Sequence, residues 1–252
     1  MIVNNAGISG TVADGVSFTI PSTAGLELTQ GSLATSNSTL LLDGLLRVNG
    51  GTATLASTDI EYTSGGSSLI DVTSGTLNVG GQVRRSTTSN NGVLKYRQSG
   101  GDVDITPDVA NDEDRASFEV LNSGSEFTLT GGTFNIERGV TGDGNESLIL
   151  DPTTQTVSSP ITIFEGLGAD YGSNFFNLSS TIILDDLIIA DPMGADLPDV
   201  RLLNQNLELN DLTINSNQTF LANNFNLTVD GDFTNDGTYT NTSTETILGG
   251  AG

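Results

Sequence analysis

Short β-rich runs centred roughly seven to nine residues apart, a glycine-led bend that recurs with the same alternation after it, and the lack of any convincing amphipathic helix predict an all-β chain. Together they point to a right-handed parallel β-helix over residues 1–252, one continuous solenoid cut from a larger protein. An array of antiparallel β-sandwiches is the alternative that strand spacing alone leaves open.

Six runs set the meter: Leu40-Leu41-Leu42, Leu45-Leu46-Arg47-Val48, Ala53-Thr54-Leu55, Ile60-Glu61-Tyr62, Leu69-Ile70-Asp71-Val72 and Leu77-Asn78-Val79. Each alternates or has a β-rich centre, and each ends at Gly, Ser, Asn or Asp, the residues that supply turns. Parallel strands this close leave no room for crossover helices, so consecutive strands must occupy different faces of a coil. The bend unit appears as Ser74-Gly75-Thr76-Leu77-Asn78-Val79, Gly100-Gly101-Asp102-Val103-Asp104-Ile105 and Gly131-Gly132-Thr133-Phe134-Asn135-Ile136. Gly75, Gly101 and Gly132 stand 26 and 31 residues apart, which fits one coil plus variable loops. Phe118-Glu119-Val120, Phe127-Thr128-Leu129 and Phe134-Asn135-Ile136 then read as the three strands of one coil.

Downstream, strands are expected at 148–150, 161–164, 175–178, 182–184, 187–189, 200–203, 207–209, 212–214, 225–229 and 232–234. Residues 139–160 read as strand-poor, an excursion from the coil or a seam. Residues 191–199 read as a loop, because Pro192 and Pro198 exclude a central strand. At ~4.8 Å per coil the chain would form a rod of about 50 Å, with Asn and Thr in turns and stacked polar ladders.

Eight basic residues face thirty-one acidic ones, a formal charge of −23. Such a surface repels phosphate backbones and anionic membranes, so a nucleic-acid partner is excluded. No apolar run reaches the ~20 residues of a spanning helix, so no membrane span is expected. Cysteine and histidine are both absent, which removes disulfides, thiolate metal sites, Cys nucleophiles and His-dependent triads. The start of the chain lacks the basic and apolar regions of a signal peptide, and Thr246-Ile247-Leu248-Gly249-Gly250 reads as mid-repeat, so a processed fragment is expected.

The segment Asn206-Leu207-Glu208-Leu209-Asn210-Asp211-Leu212-Thr213-Ile214, followed by Phe225-Asn226-Leu227-Thr228-Val229-Asp230-Gly231-Asp232-Phe233-Thr234-Asn235-Asp236-Gly237-Thr238-Tyr239, resembles the repeats of very large secreted Bacteroidetes surface adhesins of the type IX secretion class. The resemblance covers 202–248 and is compositional. It implies a secreted, extracellular cell-surface protein whose segment serves as a rigid stalk or surface-contact module. Its implied partners are flanking repeats of the same polypeptide, with surface glycans or other cell-surface proteins as contacts.

No catalytic residue is assigned, and an enzyme is not expected. The alternative is a carbohydrate-active β-helix, a polysaccharide lyase or glycan binder, with Arg84, Arg85, Lys95 and Arg97 as its basic cluster near Asp102 and Asp104. A hydrolase would need paired carboxylates about 5–10 Å apart. Asp59/Glu61, Asp102/Asp104 and Asp185/Asp186 qualify by spacing, but Trp is absent and Tyr numbers only four, so an aromatic sugar platform is lacking. No cofactor is expected beyond a structural calcium ion, for which Asp108, Asp112 and Asp114 form one carboxylate-rich segment and Asp230, Asp232 and Asp236 another. Neither segment has the EF-hand spacing.

Overall fold

The computed structural model describes residues 1–3, 9–63, 68–89, 91–107, 115–137, 147–164, 175–190, 199–242 and 246–249. Twenty-three strands and no helix make up these residues, and all their pairings are parallel. The chain follows one path repeatedly. It runs along a first face, bends onto a second, bends onto a third and returns one rung further on.

On the first face Ile2–Val3 pairs with Gly25–Leu28, and the ladder continues through 45–48, 68–72, 94–98, 126–129 and 154–157. The second face stacks Ser9–Thr11, Ser32–Ser36, 52–55, 76–79, 102–105, 133–136, Ile161–Phe164, 187–189, 212–214 and Phe233–Asn235. The third begins at Phe18–Ile20 and Thr39–Leu42, passes Asp59–Tyr62, Val83–Arg85, 118–120, 148–150 and Phe175–Ser180, and ends at Thr238–Thr240. This is a parallel β-helix, not an array of sandwiches.

The three predicted strands around Phe118, Phe127 and Phe134 are consecutive faces of one coil, as their spacing suggested. Coils are less uniform than the meter implied. The rise from Leu26 to its partner Leu46 takes 20 residues, and that from Tyr96 to Phe127 takes 31. Within 139–160, the strand Leu148–Val157 continues both the third-face and the first-face ladders.

Period-2 alternation decides what goes inside. On the first face Leu46, Ile70, Tyr96 and Phe127 stack inward in register, while Arg47, Asp71 and Arg97 stack outward. The inward columns of all three faces merge into one apolar core from Ile20 to Val229, where each fully buried Leu, Val or Phe contributes about 1.5–3 kcal/mol. Tyr96, Phe118, Phe127 and Phe134 form its aromatic centre, with ring centroids 5.2–6.2 Å apart. Gln98, an inward polar residue beside them, is bonded at both ends of its amide: it accepts from the Tyr96 hydroxyl at 2.6 Å and donates to the Thr133 carbonyl at 2.9 Å.

The bend between first and second faces is where register is fixed. Gly31, Gly51, Gly75, Gly101 and Gly132 all have φ between 74° and 83° and lie on successive coils. At Gly101 the backbones approach so closely that a Cβ would lie 2.6 Å from the Gly75 carbonyl oxygen. An L side chain there suffers both the left-handed backbone penalty and a backbone collision.

Gly101→Val is therefore expected to lower stability by about 2–4 kcal/mol, and Phe127→Ala by about 3–5 kcal/mol through a core cavity. Urea midpoints compared with the parent chain check both values.

Candidate functional site

Arg84 and Arg85 end the short third-face strand Val83–Arg85, whose Val83 anchors in the core. Arg84 Nη2 lies 3.0 Å from Asp59 Oδ2 and 3.0 Å from Glu61 Oε1, both on the preceding rung. Arg85 turns to the other side. Glu119 Oε1 accepts from the Arg85 backbone N–H at 2.6 Å, from Arg85 Nε at 3.0 Å and from Arg115 Nη2 at 2.7 Å. The Arg115 guanidinium also donates to the Arg85 carbonyl. Glu119 is only 1 % exposed, and Tyr62, whose hydroxyl donates to the Glu119 carbonyl at 2.9 Å, is pushed to a higher pKa by burial and by the Glu119 charge.

Lys95 and Arg97 sit elsewhere, on the first face. Arg97 makes a two-pronged pair with Glu126 on the next rung, Nε to Oε1 at 2.7 Å and Nη2 to Oε2 at 2.8 Å. That hydrogen-bonded pair raises the Arg97 pKa and lowers that of Glu126. The four basic residues grouped by sequence thus divide between two faces, and the three arginines among them are engaged by carboxylates. A guanidinium held this way stays protonated and cannot abstract a proton.

The acidic pairs behave in the same manner. Asp59 and Glu61 serve Arg84. Asp102 accepts from Thr133 Oγ1 at 2.6 Å and Asp104 from Asn135 Nδ2 at 2.7 Å, each bond crossing to the next coil. Asp186 stacks in register on Asp211, and burial together with the charges of Asp185 and Asp211 raises its pKa. Glu137 is raised to about 7 by burial and by Asp104.

Asp230 and Asp232 lie at the corner between the rungs 227–229 and 233–235, where the Asp232 backbone N–H donates to Asp211 Oδ1 at 2.6 Å, and Asp236 follows the second of them. Among the described residues no three acidic side chains gather as a metal-binding group. Asp108, Asp112 and Asp114 lie outside the described residues.

Arg115 and Glu119 are the members of the charge cluster that sequence reading missed. Glu119 occupies an outward position between inward Phe118 and Val120, indistinguishable by pattern from a solvated residue. Only the register that sets Val83 beside Phe118 brings it under Arg85. No protein-family model, curated protein or solved structure matches the chain, so the geometry stands alone.

Removing one member of the buried pair should leave uncompensated charge inside: Glu119→Ala is expected to cost about 3–5 kcal/mol. Arg97→Ala, at the exposed pair, should cost no more than about 1 kcal/mol. Thermal melts of the two variants check this contrast. Glu137 gives a pH signature. Its folded pKa lies above the ordinary 4.5, so its protonated form favours the fold. That contribution is complete below pH 4.5 and is lost as pH rises through about 7. The melting temperature of the parent should fall across this window by more than that of Glu137→Gln, which cannot ionise.

Proposed function

We propose that the chain is a structural and adhesive segment of a secreted cell-surface repeat protein, a rigid rod that carries or presents contacts. The observation that carries this reading is the closure of the charged side chains on one another from coil to coil. Arg84, Arg85, Arg97 and Arg47 each pair with a carboxylate of a neighbouring rung. Ion pairs of this kind fasten the rod and do not line a substrate groove. The single core and the parallel ladders along all three faces suit a stiff spacer in which each coil rests on its neighbours. The resemblance of 202–248 to repeats of large Bacteroidetes surface adhesins supports the same location, and flanking repeats of one polypeptide are its natural partners.

Polygalacturonate offered at alkaline pH with calcium should yield no unsaturated product, and beads coated with the chain should attach to surfaces bearing glycans or cell-surface proteins. Catalytic turnover of the polysaccharide, measured by absorbance of the unsaturated sugar, would replace this reading with the lyase.

A further inference from the structure

The first face is interrupted at one coil. Residues 154–157 pair with 126–129 on one side, and the next regular rung is 207–209, which pairs with 227–229. Between them the chain passes through 181–184, and only Leu184 enters the ladder, opposite Leu209. The alternation predicted for a strand at 182–184 is kept, with Ile182 and Leu184 buried and Ile183 outward and 48 % exposed. Ser180 is what withdraws this rung. Its buried hydroxyl donates to the Ile182 carbonyl at 3.0 Å and accepts the Ile182 N–H at 3.3 Å. Both backbone groups that would otherwise bond to adjacent coils close on a local turn instead.

A cavity of about 240 Å³ opens at this break, between the 180–183 turn, Asn206 and Glu208 of the following rung, and Asn226 and Thr228 of the rung after it. Its size falls below the roughly 300–1,000 Å³ of sites for drug-sized ligands, so it suits one small ring. Two amides, a carboxylate and a hydroxyl supply donors and acceptors side by side. The Asn226 backbone N–H donates to Asn206 Oδ1 at 2.9 Å, which fixes that amide in place. Exposed Ile183 provides an apolar contact at the lip. No Lys or Arg lines the cavity and Glu208 does, so an anionic ligand is repelled. A ring with adjacent hydroxyls meets the rest: vicinal O–H groups bridge to carboxylate and amide oxygens, and a C–H face rests on the isoleucine.

We propose that this break binds one neutral sugar residue of a surface glycan. The proposal rests on the adhesive reading and gives it a contact chemistry. The test titrates the intact chain with maltotriose, chitotriose and β-1,4-galactotriose, with trigalacturonate and trilysine as controls, following binding by calorimetry. At least one neutral trisaccharide should bind saturably, and Glu208→Ala and Asn206→Ala should each weaken it tenfold or more. Both side chains are exposed, so the variants should melt like the parent. Absence of binding by all three neutral sugars, binding that survives both substitutions, or tighter binding of either control would overturn the site. The two readings separate in the attachment assay. Beads that attach to glycan surfaces equally well with either variant keep the adhesive role and remove the site. Sugar binding by a chain that attaches to no surface keeps the site and removes the role.

Discussion

The fold depends on the close approach of successive backbones at the glycine bend between the first and second faces. There the carbonyl of one coil lies where the next coil's Cβ would stand, at Gly51, Gly75, Gly101 and Gly132 alike. This stack fixes which residue of each of these coils begins the second face. Because side chains alternate with period two, a slip of one residue would turn Leu77, Val103 and Phe134 outward and Asn78, Asp104 and Asn135 inward. Coil length can vary at the other corners, as between Ile105 and Phe118, since the glycine bend holds both the rung before it and the rung after it in register.

The same stacking governs the electrostatics. A residue that points outward on one coil has neighbours at strand spacing, about 4.8 Å above and below, so a column of one sign would repel itself in a chain of charge −23. Along the first face the in-register outward column Glu27, Arg47, Asp71, Arg97 alternates in sign. On the second face Thr133 and Asn135 interleave with Asp102 and Asp104 and donate to them. Where neither device operates, as at Asp186 beside Asp211, ionisation becomes harder. Four of the eight basic residues, Arg47, Arg84, Arg85 and Arg97, are thus engaged in inter-coil pairing, which is why sequence proximity of Arg84, Arg85, Lys95 and Arg97 does not translate into a basic groove.

The proposed sugar site lies where the ladder fails. A continuous β-helix face offers bonded backbone and side chains that satisfy one another. Ser180 breaks that continuity by bonding both backbone groups of Ile182, and the surface there becomes concave and polar around an exposed isoleucine. The break stays local, because the strand Leu184–Ala190 rejoins its second-face neighbour from 186 onward.

Period-two alternation, the glycine-led units at Gly75, Gly101 and Gly132, and short strand spacing were enough to determine an all-β coil, the inward set from Leu46 to Phe134 and the outward set between them. These are local properties, written in each strand and each bend. The charge partners were not legible in the same way. Glu119 meets Arg85 and Arg115, and Glu126 meets Arg97, across separations of 34, 4 and 29 residues, and coil lengths that range from 19 residues, Thr219 to Thr238, to 35, Val83 to Phe118, shift those meetings unpredictably along the sequence. The break at Ser180 was equally hidden, since Ile182-Ile183-Leu184 looks like any other strand until its backbone partners are known. Local pattern sets which way each side chain faces; only the stacked coils decide what it faces.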